Sequence, residues 1–321
     1  MEKHRFCLDN SRPNILFPCP SCKQRTFKRY WDNYKNEYFP DEDVGRCNSE
    51  INCGYQQSPK AFYQKHGIEY HKIERNYIYQ PKPKPPTTYI DKSWVEKSMN
   101  RPIPNYFIDY LKRLFGEEQS NILVNQFRIG DSKHWKGATV FWQIDQELNV
   151  RTGKIMLYNS AIGKRVQNYD NWVHSVSEIK NFTIGQCFFG LHQIVEDSKK
   201  TIGIVESQKS AVILTAINPA TLWLASGGIA LPIERFEPLK DRKIILYPDA
   251  GIDKNEHGTP FQKWSKKASE LNLTGYNVAV STMVENAVTE EQRIRGYDLA
   301  DYFTMIDQTG QSVLNTKAIN K

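Results

Sequence analysis

The 321-residue chain carries 43 Lys plus Arg against 36 Asp plus Glu, a formal charge of +7, with 39% hydrophobic and 12% aromatic residues. This composition excludes wholesale disorder and an acidic tail protein, and the length suits about two domains. No run approaches the roughly 20 apolar residues of a membrane span and the opening MEKHRFCLDNSRPN has no apolar signal core, which predicts a soluble, cytoplasmic protein.

Four of the six cysteines fall near the N-terminus: Cys19 and Cys22 in CPSC, Cys47 and Cys53 in CNSEINC. Thiols clustered in this way in a reducing compartment hold metal more often than disulfides. Four thiolates complete a tetrahedral zinc shell and leave no open position, so the expected zinc is structural. His66 and His71 are alternative ligands, because the second pair is spaced more widely than the first. The aromatic text between the pairs suits a ribbon hairpin. There Arg25, Lys28, Arg29 and Trp31 interleave cations with rings, a chemistry that fits phosphate contact with base stacking on single-stranded nucleic acid and equally a solvated ribbon face. Cys7 and Cys187 stand apart, one expected as a flexible terminal thiol and the other as a small buried hydrophobe.

Residues 1–86 hold fifteen Lys or Arg and ten Asp or Glu, so +5 of the net +7 lies in the first quarter. The run Tyr79–Pro86 (YQPKPKPP) reads as a stiff spacer. The expected organisation begins with a zinc-ribbon domain at 1–80 and a proline-rich linker at 81–92. Ser93–Arg113 suggests short helices, interrupted at Pro102 and Pro104 and capped at Asn105. NILVNQFRIG, ATVFWQID and KIMLYN then read as strands of a small antiparallel sheet, within a basic α+β subdomain at 93–195. Between Lys133 and Arg165 six cations face two acids.

From Thr201 the short apolar runs TIGIVE, ATLWLAS, KIILYPD and NVAVSTM alternate with helical stretches. This predicts an α/β domain at 196–308, a Rossmann-like parallel sheet with helices on both faces, and a frayed polar tail at 309–321. Glu206 and Asp249 end two of these strands and Asp253 follows in a loop, so their acids are expected at the carboxyl edge where open α/β sheets bind ligands. Acids brought to one rim repel unless a cation neutralises them, which suits Mg²⁺. Lys209 could hold a phosphate or pair with Glu206, and Ser226–Gly227–Gly228 offers a tight turn.

IVESQKSAVI, LASGG and LYPDAGID, in this order, resemble the TOPRIM domain shared by DnaG-like bacterial primases, topoisomerases and some nucleases. Glu206 and Lys209 match the acid and lysine of its first motif, where Ser207 replaces a glycine. Asp249 matches the first acid of its DxD motif, while Gly251 occupies the place of the second and Asp253 is a possible substitute. GYDLADYF resembles the acidic segment that ends the TOPRIM core of primases, with Asp298 and Asp301 as its acids. The stretch from Gly137 to Asn159, followed by GKRV, resembles the basic subdomain that precedes TOPRIM in primases. The resemblance implies a primase-like protein of the mobile-element type, with catalytic Mg²⁺ or Mn²⁺ at Glu206, Asp249 and Asp253. Lys209 would join these catalytic residues, and Lys154, Lys164 and Arg165 would contact template or triphosphate. It further implies single-stranded DNA and ribonucleoside triphosphates as partners, with any replicative helicase a separate protein. A TOPRIM nuclease and a catalytically degenerate DNA-binding protein are the alternatives.

Overall fold

The computed structural model describes residues 5–9, 15–49, 53–68, 85–197, 199–253 and 258–315, which fall into two units, Met1–Lys84 and Pro85–Lys321. His71 and the part of the proline-rich run up to Lys84 lie outside the described residues.

In the first unit, β1 (Phe6–Leu8) pairs antiparallel with β2 (Phe27–Asp32). β2 in turn pairs with β3 (Glu37–Tyr38) and β4 (Gly45–Cys47), and β4 with β5 (Gln56–Gln57). Helix α1 (Pro59–Lys65) follows, its start fixed by Ser58 Oγ, which accepts the Ala61 N–H at 3.1 Å. Phe6, Phe39 and Val44 form a core with Phe62 and Tyr63 packed on it. A second small cluster buries Phe27 with Cys19 and Cys47, and buried side chains this few among the described residues are the circumstance in which small domains use a staple.

The second unit opens with α2 (Ser93–Met99) and α3 (Tyr106–Gln126). Asn105 caps α3, its Oδ1 accepting from the N–H groups of Phe107 and Ile108 at 3.1 and 3.2 Å. The same oxygen accepts from Thr139 Oγ1 at 2.6 Å, so the cap also docks the helix on the sheet. The stretch NILVNQ, expected as strand, is the last turn of α3. Leu123 and Phe127, four apart, are buried while Ile122, just before them, is half exposed, a helical rather than an alternating period.

An antiparallel sheet follows in the order β6 (Gly130–Ser132), β7 (Ala138–Ile144), β8 (Val150–Tyr158), β9 (Arg165–Trp172), closed by the single turn α4 (Val173–Val176). β7 is buried throughout because its alternate residues serve two cores. Phe141 packs with Phe107, Met156 and Tyr158, whereas Val140 and Trp142 pack with Ile155 and Val173.

Four parallel strands form the second sheet: β10 (Thr201–Val205), β11 (Thr221–Ala225), β12 (Lys243–Tyr247) and β13 (Asn277–Val280), in the order β11–β10–β12–β13. Helix α5 (Gln208–Ile217) shares one core with Val205, Trp223 and Ala225, while α6 (Pro260–Leu273) shares the opposite one with Ile202, Ile204, Leu224 and Leu246. The sheet thus carries helices on both faces, and near-continuous apolar strands are the consequence. After the short helices α7 (Met283–Ala287), α8 (Glu290–Ile294) and α9 (Leu299–Phe303), strands β14 (Thr304–Ile306) and β15 (Ser312–Leu314) form an antiparallel hairpin. The stretch expected as a frayed tail therefore contains a strand as far as Leu314, while residues 316–321 lie outside the described residues.

Candidate functional site

Cys19 and Cys22 lie on a turn in which the Lys23 N–H donates to Cys19 O at 2.9 Å, with Lys23 in the left-handed region. Cys47 ends β4, and the turn before β5 supplies Cys53. All four Sγ atoms lie within 4.8 Å of one another, with Cys19–Cys53 at 3.7 Å and Cys22–Cys47 at 4.0 Å. Sulfurs around a tetrahedral zinc, each about 2.3 Å from the metal, stand roughly 3.8 Å apart. The donor set therefore fits zinc, and with four protein ligands the site is structural. Burial pushes the Cys19 thiol up to about 11, while the Tyr55 backbone N–H, against a burial penalty, draws that of Cys53 down to about 6. His66 is not among these ligands; its Nδ1 meets Phe62 O at 2.9 Å and its ring lies over Phe62.

The ribbon cations differ in availability. Arg25 is exposed, and Lys28 and Trp31 are half-buried on β2, with Trp31 edge-on to Tyr38 at 5.0 Å. Arg29 is committed inward, its side chain only 12% exposed. It donates to Phe39 O at 3.0 Å, pairs with Glu42 at 3.3 Å and lies over the rings of Phe17 and Tyr38. Arg29 thus holds the ribbon together rather than offering a free guanidinium.

In the second unit a cleft of about 700 Å³ opens at the carboxyl edge of the parallel sheet. The chain leaves β10 for β11 on one side and returns to β12 on the other, so the crevice lies at the point where strand order reverses. Val205 and Tyr247 are register partners, which brings Glu206 and Asp249 side by side just beyond the strand ends. The Asp249 backbone N–H donates to the Glu206 carboxylate, and Glu206 Oε1 is buried without a hydrogen-bond partner. Burial pushes Glu206 up to about 7; the Asp249 N–H opposes the shift and the charge on Asp298 adds to it. Burial, followed by the charges of Asp298 and Glu206, holds Asp249 well above the usual carboxylate range. Adjacent carboxylates so deprived of water resist ionising together, and a hard divalent cation with oxygen ligands relieves that repulsion. The orphaned Glu206 oxygen offers such an ion one ligand, whereas among the described residues only the four cysteines already stand close enough together to form a complete metal-ligand group.

Asp298 and Asp301 line the same cleft. Asp298 caps α9, accepting the Asp301 N–H at 2.8 Å and the Ser210 hydroxyl at 2.7 Å. Lys209 pairs with these two acids, at 3.8 and 3.4 Å, and not with Glu206. Burial alone would lower its pKa, but Asp298 and Asp301 outweigh that and raise it. Tyr110 on α3 and Tyr158 on β8 lie near enough to act electrostatically on the ammonium, a proximity no local sequence signal announces. Asp253 is not brought to the rim. It is exposed, its Oδ2 accepts the Gly258 N–H at 2.9 Å, and the cleft lining does not include it.

Lys154, Lys164 and Arg165 also line the cleft. Burial lowers the pKa of Lys154, and its ammonium lies 5.7 Å from the Trp172 ring centre. Lys164 and Arg165 are exposed beside a tight loop in which Gly163, at φ +63°, packs its backbone against the Tyr110 ring where a Cβ would clash. Gly227, at φ +80°, lets the backbone turn beside Gln208 at the cleft wall. Among the described residues no helix is long and apolar enough to cross a membrane.

Residues 4–68 match the zinc beta-ribbon finger family, and residues 105–250 match a domain of unknown function, DUF6371. No curated protein matches the sequence. Among solved structures the chain is similar to the DnaG catalytic core, at 13% identity and a TM-score of 0.40 over 62% of this chain and 74% of that one. It is similar to the DnaG primase catalytic domain bound to ssDNA at 11% identity and a TM-score of 0.37, over 57% of this chain and 63% of that domain's own length. It is also similar to the primase fragment of the bacteriophage T7 primase-helicase protein, at 13% identity and a TM-score of 0.34 over 83% and 89%.

Proposed function

We propose that the cleft is a divalent-metal centre for phosphoryl transfer on nucleic acid, and that the chain is a TOPRIM protein of the primase type, making short RNA primers on single-stranded DNA in the cytoplasm. One observation carries this reading: Glu206, Asp249 and Asp298 share a cleft with Lys154, Lys164 and Arg165. Acids for a cation beside bases for phosphates are what nucleotide transfer requires.

In this reading Glu206 and Asp249 hold Mg²⁺ or Mn²⁺, with Asp298 beside them. Such an ion would supply charge neutralisation at the phosphoryl oxygens and would lower the pKa of the attacking hydroxyl. Lys164 and Arg165 bind phosphates of template or triphosphate, and Lys154 sets their position from within the wall. Lys209 is a positioning residue, because its ammonium fixes Asp298 and Asp301 in place. Arg25, Lys28 and Trp31 offer the ribbon's contact to single-stranded DNA, in a zinc-held domain at 1–80. The segments 93–195 and 196–308 form the basic and TOPRIM halves, joined to the ribbon by the linker at 81–92. The order of ribbon, basic segment and TOPRIM half suits a primase-like protein of a mobile element.

A second reading, a degenerate TOPRIM protein that binds DNA without turnover, draws support from Gly251 in place of an acid, from Asp253 outside the cleft, and from Lys209 already neutralising two carboxylates. Incubation with labelled ribonucleotides, single-stranded DNA and Mg²⁺ or Mn²⁺, beside Glu206→Gln, separates the possibilities. Labelled primers that vanish in the variant support the primase; cutting of the template points to a TOPRIM nuclease; binding without turnover in the wild-type protein favours the degenerate binder.

A further inference from the structure

Part of the cleft suits neither a metal ion nor a phosphate. Met305 and Ile306, on β14, line it while remaining 51% and 50% exposed, and Ile162 lines it from the loop before β9. Large apolar side chains left in water at a cleft wall mark a surface built to be covered.

The wall is held in place. The Ser312 N–H of β15 donates to Ala161 O at 3.1 Å, and Ser312 Oγ meets the Tyr110 hydroxyl at 3.2 Å. At the other end of the hairpin the Asn315 N–H donates to Phe303 O at 2.8 Å. Ile162 is fixed by its N–H, which donates to Asn159 Oδ1 at 3.2 Å. Lys164 and Arg165 follow Ile162 within three residues, so one short loop presents an apolar side chain and then two cations to the same cavity.

A ligand satisfying all of these groups is flat and apolar at one end and polyanionic at the other. We infer that Ile162, Met305 and Ile306 form a nucleobase rest, on which the base of a nucleotide lies while its phosphates reach Lys164, Arg165 and the acid rim. The cleft, at about 700 Å³, lies within the roughly 300–1,000 Å³ range of small-ligand sites. The inference rests on reading the cleft as a nucleotide site and adds which residues hold the base. The base can come from a free nucleoside triphosphate or from the end of a strand.

The test is direct binding to the full chain in Mg²⁺, comparing ATP with inorganic tripolyphosphate, and an oligonucleotide with an abasic backbone of equal length. The base-bearing ligand is expected to bind about tenfold more tightly in at least one pair, equivalent to roughly 1.4 kcal/mol. Met305→Ser with Ile306→Ser should erase that preference and leave tripolyphosphate affinity unchanged. Met305→Leu with Ile306→Val, which keeps the wall apolar, should retain it, and matching thermal melts exclude misfolding. The pair in which the preference appears identifies a free nucleotide or a strand end as the occupant. A preference that survives the serine variant, or is missing from both pairs while tripolyphosphate still binds, overturns the base rest and leaves the proposed function standing. If the wild-type protein binds none of the four ligands, both fall.

Discussion

The cysteine cluster and the acidic cleft are built on opposite plans. The cysteines lie within 35 residues, and two local turns suffice to bring their sulfurs within 4.8 Å. The cleft collects Glu206, Asp249 and Asp298 from elements separated by a helix, several strands and more than forty residues at each step, and it exists only once the parallel sheet is complete. A ligand set encoded locally in a module with a small core makes metal and fold interdependent. A rim assembled by a well-packed sheet should keep its backbone with or without a divalent ion.

That contrast is open to attack, beginning with its largest expected effect. Chelation or Cys19→Ser should unfold the ribbon, because metal binding in such modules supplies on the order of 10 kcal/mol of folding free energy. Circular dichroism and limited proteolysis should then show the second unit intact; a structured ribbon without metal would break the comparison. Glu206→Gln should lower metal-dependent turnover by on the order of a hundredfold, about 2.7 kcal/mol of barrier, while melting no lower than the wild type in Mg²⁺-free buffer at neutral pH. Lys209→Met should act as a folding variant, since it strands Asp298 and Asp301 without their counter-charge. About 3 kcal/mol of lost stability in urea titration is expected.

Smaller effects sharpen the same distinction. The Glu206 carboxyl titrates near 7 in the folded state against an ordinary 4.5, so the native protein binds the extra proton between those values. Its contribution to stability is therefore fully present below about pH 4.5 and is lost as pH rises through about 7. In chelator, melting temperatures measured from pH 5 to 8 should fall more steeply for the wild-type protein than for Glu206→Gln, and equal slopes would contradict the assigned burial. Smallest of all, Arg29→Ala should cost the ribbon about 1 kcal/mol through its bond to Phe39 O, whereas Arg25→Ala, which loses only an exposed 3.3 Å bond to Leu16 O, should chiefly change salt-dependent DNA affinity.

Several of these features could be read along the chain and others could not. The strands β10 to β13 were visible because burial on both faces leaves near-continuous Ile, Val and Leu, and the cysteine spacing carried its own chemistry. The end of α3 reads as strand because Ile122, Leu123 and Val124 form a short branched apolar run, and only the packing of Leu123 and Phe127 on one face separates helix from strand. The three-residue strands β14 and β15 lie below the length at which any period can be seen.

Sequence alone determined which residues could bind cations and which runs would become a parallel sheet, since ligand identity and hydrophobic period are properties of neighbours along the chain. Tertiary structure decided the partnerships. It paired Lys209 with Asp298 and Asp301 rather than with Glu206, left Asp253 outside the cleft, and turned Arg29 inward. Coulomb and burial energies depend on distances through space, and residues 92 positions apart become neighbours only when the chain has folded.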